Sequence, residues 1–110
     1  MSAPSVDLTL AALADPHRRG VIDLLRQRPH RAGELAQAMR LSFPAMSRHL
    51  RTLRRSGLVE EGRDEFDSRV RIYRLRPDAI ASLRSWLAET DAMWARQLLA
   101  LKAHVQKARK

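Results

Sequence analysis

A run of basic side chains between residues 47 and 55 carries the clearest chemical signal in this chain. It contains one serine and four arginines: Ser47, Arg48, Arg51, Arg54 and Arg55. A guanidinium group can donate two parallel hydrogen bonds to a guanine edge or a phosphate, and a serine hydroxyl can bond either partner. Because no aspartate or glutamate interrupts residues 42–56, the segment predicts a surface that binds nucleic acid.

The same segment has the pattern of one α-helix over about residues 42–56. Three apolar residues recur at steps of four and three, as on the buried face of a helix: Met46, Leu50 and Leu53. Ser42 suits the N-cap position and Pro44 the first turn, while Gly57 supplies the left-handed residue that often ends a helix. The arginines are therefore expected to face solvent or a partner.

The charge of the whole chain agrees with a polyanionic partner. The 110 residues include 21 Lys and Arg against 12 Asp and Glu, a formal net charge of +9. Residues 42–56 supply four of the basic groups and none of the acidic ones, and each phosphate they neutralise would release condensed counterions. An acidic substrate explains the charge less economically. The chain has no cysteine, which excludes disulfides, thiolate metal sites and cysteine nucleophiles.

Periodic apolar residues predict three helices ahead of this segment, over about residues 6–14, 16–27 and 32–39. Asp15 and Pro16 suit the N-cap and first turn of the second helix. The third helix would bury three residues: Leu35, Ala36 and Met39. Since only two residues separate it from the basic helix, the pair forms a helix-turn-helix unit over about residues 32–56.

After Gly57 the pattern alternates, which predicts a two-stranded hairpin, or wing, over about residues 58–75. The strands are expected at 58–61 and 70–75, joined through residues 62–69. The tip at 64–67 is acidic and would repel phosphate. Any wing contact with a polyanion should therefore come from Arg63, Arg69 or Arg71.

The last predicted helix, over about residues 77–105, carries a long apolar seam that one small domain cannot cover. Its members recur at steps of three and four: Ile80, Leu83, Leu87, Thr90, Trp94, Leu98, Leu101 and Val105. An exposed stripe of this size favours aggregation in a monomer, so together with the first helix it predicts a homodimer interface. The residues expected there are Val6, Leu10, Leu13, Leu83, Leu87, Trp94, Leu98 and Leu101.

These elements predict one domain over residues 1–110, mainly α with a small β-hairpin: a winged helix-turn-helix with about five helices and a two-stranded wing. No apolar stretch approaches the roughly 20 residues that span a bilayer, and the N-terminus lacks the apolar run of a signal peptide. We therefore expect a soluble, cytoplasmic protein. No serine, histidine and carboxylate set has a recognisable catalytic context, so we expect no catalytic residues and no cofactor.

In its order of motifs the chain resembles the ArsR-type winged helix-turn-helix repressors. The resemblance lies in LADPHRR at 13–19, GELA at 33–36, SFPAMSRHLRTL at 42–53, SGLV at 56–59 and YRL at 73–75. It covers residues 6 to about 105. It implies a dimeric transcriptional repressor that binds a palindromic operator in double-stranded DNA and is released by an inducer. A small molecule or a metal could serve as the inducer, but neither is evident in the sequence.

Two departures from the family pattern bear on mechanism. Metal-sensing members use cysteines in the third helix or Asp and His pairs on the last helix, and here the last helix offers only Glu89, Asp91 and His104. The resemblance therefore points to the non-metal branch, and we expect no metal site. Arg40 stands where the family usually has glycine, so left-handed geometry there would cost roughly 1 kcal/mol.

Ten residues are expected to contact DNA, most of them on the basic helix: Arg31, Ser42, Pro44, Ala45, Ser47, Arg48, His49, Arg51, Arg69 and Arg71. For His49 we expect packing at the helix edge or contact with a phosphate rather than metal ligation. Arg54 and Arg55 could merely complement the helix dipole. Two alternatives stay open: a protein-interaction module that docks through the final helix, and a nucleic-acid binder without sequence preference.

Overall fold

The computed structural model describes residues 5–108. Five helices and one antiparallel hairpin follow one another in the order α1 (Val6–Leu13), α2 (Pro16–Gln27), α3 (Ala32–Met39), α4 (Phe43–Arg55), β1 (Val59–Arg63), β2 (Arg71–Leu75) and α5 (Pro77–Ala108). The mainly α, winged helix-turn-helix fold expected from the sequence is confirmed.

The ends of α2 and α4 are fixed by the residues that the sequence indicates. The Asp15 carboxylate accepts hydrogen bonds from the backbone amides of His17 at 2.7 Å and Arg18 at 3.3 Å, which caps α2. Ser42 Oγ accepts from the amide of Ala45 at 3.2 Å and caps α4. Gly57 ends α4 with a φ of 80°. Glycine tolerates this left-handed conformation because it has no Cβ.

The turn between α3 and α4 depends on a strained residue. Arg40 has φ 57° and ψ 40°, which lie in the left-handed region. Its amide donates to the carbonyl of Gln37 at 3.2 Å, and the next amide, of Leu41, donates to Ala36 at 2.9 Å. This hydrogen-bond pattern closes a helix in a Schellman motif and holds α4 at a fixed angle to α3.

The core lies under the helix-turn-helix unit and the base of the wing. Its most buried apolar side chains are Val21, Leu25, Leu35, Met46, Leu50, Leu53, Leu58 and Val59. The buried face predicted for α4 is therefore confirmed. In α1 Thr9 and Ala12 are buried against the domain, whereas Leu8 and Leu10 are exposed. Thr9 is accommodated because its hydroxyl donates to the carbonyl of Ser5 at 3.0 Å.

Two consecutive arginines of α2 attach α1 to the rest of the fold. The Arg18 guanidinium group donates to the carbonyls of Ala12 at 2.7 Å and Ala11 at 3.2 Å. Arg19 donates to Leu13 at 2.7 Å and Ala14 at 3.2 Å. These carbonyls belong to the last turn of α1 and the residue that follows it, where helical hydrogen bonding ends. Among them, the Ala11 carbonyl also accepts from the amide of Ala14 at 3.3 Å. The orientation of α1 therefore follows that of α2.

The hairpin extends further than its sequence pattern indicated. The partners run from Val59 opposite Leu75 to Arg63 opposite Arg71, so β1 continues two residues beyond the expected end at residue 61. His30, in the loop before α3, exchanges backbone hydrogen bonds of 3.1 Å and 2.8 Å with Tyr73. This bridge attaches the wing to the entrance of the helix-turn-helix unit.

Helix α5 projects from the domain. It has 32 residues and continues to Ala108, past the expected end near residue 105. The radius of gyration is 19.6 Å and the longest dimension 73 Å, against about 13 Å for the radius of gyration of a compact chain of this length. Among the described residues, none of the helices combines the length and apolar composition that a membrane crossing needs.

Candidate nucleic-acid interface

Helix α4 presents a line of exposed side chains on the side opposite its buried leucines. Pro44, Arg48, Arg51 and Arg55 follow one another at steps of four, three and four, and all are exposed. Within residues 5–108, no carboxylate oxygen lies within 4.0 Å of the guanidinium nitrogens of these three arginines. Their positive charge is therefore available to a ligand.

The other residues predicted on α4 lie at the start or the sides of this line. Ser42 is exposed, but its hydroxyl is engaged in capping the helix. Ala45 and Ser47 are half-buried. The amides of this first turn still provide the positive end of the helix dipole, which attracts phosphate.

His49 is turned toward the start of α2. Its Nδ1 lies 3.5 Å from Nη1 of Arg18, and its ring centroid lies 5.6 Å from that of His17. Burial lowers the pKa of His49 below its ordinary value, against the opposing attraction of Asp15. The geometry favours the edge-packing interpretation of His49 over contact with a base.

The three DNA contacts predicted outside α4 are all paired with acids of the wing. An Arg31 amino nitrogen lies 3.8 Å from Asp64. Arg69 donates two hydrogen bonds, of 3.1 Å and 3.2 Å, to Asp67, and they lower the pKa of that carboxyl. Arg71 lies 3.2 Å from Glu61. A phosphate would have to compete with these carboxylates, so these arginines are weaker candidates than those of α4.

Glu61 also connects the wing to the basic helix. Its second carboxylate oxygen lies 2.9 Å from Nη1 of Arg54, and the glutamate side chain is only 17% exposed. Arg54 therefore does more than complement the helix dipole, which was the alternative considered for it. The pair fixes the C-terminal end of α4 against β1.

Sequence reasoning missed Phe43. This residue begins α4 and is 59% exposed beside Pro44. An exposed aromatic ring at the first turn of a DNA-reading helix can contact the methyl group of thymine. Its position at the start of the helix was the available signal. Phe43 is three residues before Met46 and seven before Leu50, so it lies on their side of the helix, but the core does not extend as far as this first turn.

The surfaces predicted to form the dimer are largely uncovered in the single chain. Five of the eight residues have more than two fifths of their surface exposed: Leu10, Leu87, Trp94, Leu98 and Leu101. Val6, Leu13 and Leu83 are half-buried, and Leu13 packs against the core of its own chain. The exposed members form two apolar surfaces, one on α1 and one along α5.

One group of potential metal ligands occurs within the described residues. Asp15, His17 and His49 each direct one ligand atom into the same region between α2 and α4. Asp15 and His17 are close in sequence, but His49 is brought to them only by the fold, so sequence spacing could not reveal the group.

Comparison with known proteins identifies the family. The model of the family described as "Bacterial regulatory protein, arsR family" matches residues 15–61. The HTH-type transcriptional regulator Rv2034 of Mycobacterium tuberculosis is 37% identical over 94 residues, which cover 86% of this chain and 82% of Rv2034. The transcriptional repressor SdpR of Bacillus subtilis is 35% identical over 52 residues, which cover 47% of this chain and 58% of SdpR.

Solved structures agree with this assignment. The ArsR-like transcriptional regulator from Rhodococcus sp. RHA1 superposes with a TM-score of 0.82 at 26% identity, and the match covers 93% of this chain and 91% of that one. The homodimeric winged helix-turn-helix DNA-binding domain of Mb0332 from Mycobacterium bovis superposes with a TM-score of 0.59 at 26% identity, over 84% and 81% of the two chains. The chain therefore belongs to the ArsR family and is a transcriptional regulator with a DNA-binding winged helix-turn-helix.

Proposed function

We propose that this protein is a homodimeric repressor that binds a palindromic operator, with α4 of each subunit in the major groove. The observation that carries the proposal is the line of arginines on α4 that no carboxylate neutralises in residues 5–108. Arg48 and Arg51 stand at its centre and are the main candidates for bidentate contacts to guanine. Ser47 and Phe43 flank them, and Arg55 suits a phosphate.

Dimerisation is supported by the apolar surfaces on α1 and α5 and by the homodimeric state of the Mb0332 domain. Two-fold symmetry would place the two α4 helices about 34 Å apart, or a multiple of it, so that they enter successive major grooves on one side of the duplex. A palindromic operator follows because each half-site meets an identical helix. The name of SdpR supports repression as the regulatory outcome.

The proposal is tested first by DNase footprinting on the region upstream of the protein's own reading frame. A protected segment with an inverted repeat is expected, and a promoter reporter should fall when the protein is present. Protection without sequence preference would indicate a non-specific binder instead. Absence of protection would favour a protein-interaction module.

The role of Arg48 is then tested with a matched pair of variants. Arg48→Ala removes one charge from α4, and Arg96→Ala removes one from the exposed polar side of α5. Losing a bidentate base contact should weaken operator binding by about 10-fold to 100-fold, the equivalent of 1–3 kcal/mol. Arg96→Ala should change binding by less than about 3-fold, as expected for a single distant charge. Equal effects of the two variants, with the dimer intact by size-exclusion chromatography, would contradict the assignment.

A further inference from the structure

We propose that Asp15, His17 and His49 bind one divalent transition-metal ion per chain, with Zn²⁺ as the representative ion. The three ligand atoms all lie within 4.8 Å of one another. Two of the ligands begin α2 and the third lies in the middle of α4. The ion therefore joins the start of α2 directly to the DNA-reading helix.

Each ligand has a donor atom available. Asp15 uses Oδ1 to cap α2, whereas Oδ2 accepts no hydrogen bond from the described residues and lies 3.8 Å from Nη1 of Arg18. His17 is exposed, and its Nδ1 is 3.9 Å from Oδ1 of Asp15. His49 is half-buried, and its Nδ1 lies 3.5 Å from Nη1 of Arg18.

The donor set selects the class of ion. Two imidazoles and one carboxylate suit Zn²⁺, Co²⁺, Ni²⁺ or Cu²⁺, whereas Mg²⁺ and Ca²⁺ prefer oxygen ligands alone. Bonds of about 2.0–2.2 Å in tetrahedral geometry place ligand atoms roughly 3.4 Å apart. The separations here are at most 4.8 Å, and that between His17 Nδ1 and Asp15 Oδ1 is 3.9 Å. Rotation of the exposed His17 side chain, with small adjustments of Asp15 and His49, would bring the three atoms to bonding distance of one ion. Three protein ligands leave one coordination position open to water.

The positive charge of Arg18 is expected to weaken the binding of a metal ion at this site. Its Nη1 faces both His49 and Asp15, while its Nε and Nη2 donate to carbonyls of α1. A bound ion would take over the place of Nη1 beside the two ligands and would be repelled by the guanidinium charge. Binding is therefore expected to be weaker than at a three-ligand site without a neighbouring cation.

The test is a titration of the metal-free, full-length protein with Co²⁺, followed by competition with Zn²⁺ and with Mg²⁺. Visible absorption reports the coordination of Co²⁺. Two variants remove a ligand without removing a structural element: His17→Ala changes an exposed side chain, and Asp15→Asn retains the helix cap because asparagine caps as well as aspartate. His104→Ala, on the exposed part of α5, is the matched control.

The wild type and His104→Ala should bind one ion per chain, displaced by Zn²⁺ and not by Mg²⁺. His17→Ala and Asp15→Asn should bind at least about tenfold more weakly, with unchanged circular dichroism. Saturating Zn²⁺ should also raise the melting temperature of the wild type by several degrees and that of His17→Ala by clearly less, because the ion binds only the folded chain and binds the variant more weakly. Failure to saturate, equal competition by Mg²⁺, or wild-type affinity in His17→Ala would overturn the site.

Discussion

Ion pairing divides the arginines of this protein into two groups with different roles. Arg48 and Arg51 have no carboxylate partner among residues 5–108, whereas Arg31, Arg69 and Arg71 each lie within 3.8 Å of an acid of the wing. A guanidinium group that already has a counter-charge releases fewer ions when it meets a phosphate. In the proposed interface, we therefore expect the wing acids to reduce the general affinity for DNA and the arginines of α4 to supply most of the contacts.

Asp64→Asn should strengthen binding to DNA by releasing Arg31. Asparagine keeps the side-chain oxygen that accepts from the amide of Phe66 at 2.7 Å, so the wing loop is retained. One additional phosphate contact should steepen the slope of log K against log salt by about one. Fluorescence anisotropy on a non-specific duplex at several salt concentrations measures this. As the control, Glu89→Gln removes one negative charge from the exposed part of α5 and should leave the salt slope unchanged. If Asp64→Asn did not alter the salt slope either, Asp64 would not be withholding Arg31 from DNA.

Arg40→Gly should stabilise the protein by about 1 kcal/mol. Arg40 is held at φ 57°, where any residue with a Cβ is strained and glycine is not. The urea midpoint of unfolding, compared with that of the wild type, measures the gain. Arg40→Ala keeps the Cβ and serves as the control, because it should not produce the increase. A glycine variant no more stable than the alanine variant would show that the turn carries no strain.

The sequence indicated which individual residues are important and where they lie on their helices, but not which side chains they contact in the folded protein. The exposure of Arg48 and Arg51 follows from helical spacing and is confirmed. The left-handed geometry of Arg40 was raised only because the ArsR family usually has glycine there. The partner of Arg31 could not be predicted, because Asp64 meets it only after the wing has folded beside the helices. The pairing of Arg71 with Glu61 depends instead on the register of the hairpin. The same limit applies to His49, whose approach to Asp15 depends on the crossing of α2 and α4.

At the scale of elements, α3 is fixed at its start by one carboxylate. Glu34 accepts from the backbone amide of Arg31 at 3.0 Å and from Nη2 of Arg28 at 3.1 Å. Both hydrogen bonds lower the pKa of Glu34 below its ordinary value of 4.5. The bond from the backbone amide of Arg31 has the larger effect, and the bond from the Arg28 side chain has the next largest. A carboxyl with a depressed pKa stabilises the fold above its unfolded pKa and loses that contribution as the pH falls through its folded pKa.

Glu34→Gln should therefore be less stable than the wild type at pH 7, and the difference should disappear in acid. Glutamine at this position can still accept from the Arg31 amide, so the comparison isolates the charge. Urea midpoints of both proteins, measured from pH 7 to pH 3, should converge below about pH 4.5, the ordinary pKa of the group. A difference that stays constant across this range would contradict the account of Glu34.

The ends of helices were predictable where the sequence contains a capping residue or a helix-breaking residue. Asp15, Ser42 and Gly57 fixed the limits of α2 and α4 correctly. The end of β1 was not predictable, since Gly62 and Arg63 join the strand only because Ile72 and Arg71 lie opposite. The burial of Thr9 and Ala12 in α1 was also not predictable, because the sequence does not show which face of α1 packs against its own chain.

At the scale of the whole molecule, α5 has a shape that a single chain does not explain. Beyond Leu83 its side chains are almost all exposed, and Trp94, Leu98 and Leu101 follow one another along one side at steps of four and three. A monomer with this stripe in water would be prone to associate. The proposed dimer resolves the problem by covering one α5 with the other and with α1 of the partner.

Leu98→Glu should separate the subunits and abolish operator binding without unfolding the domain. The glutamate would place an unpaired charge in the covered seam, which costs several kcal/mol, while the core under α4 lies far from residue 98. Ala103→Glu adds the same charge to exposed α5, on the side opposite the seam by helical periodicity, and should remain dimeric. Sedimentation velocity measures the mass of each variant, and anisotropy with the operator measures its affinity. A dimeric Leu98→Glu protein would contradict the proposed interface through α5. Wild-type affinity of a Leu98→Glu monomer for the operator would contradict two-fold recognition, because a single subunit contacts one half-site and should bind only weakly.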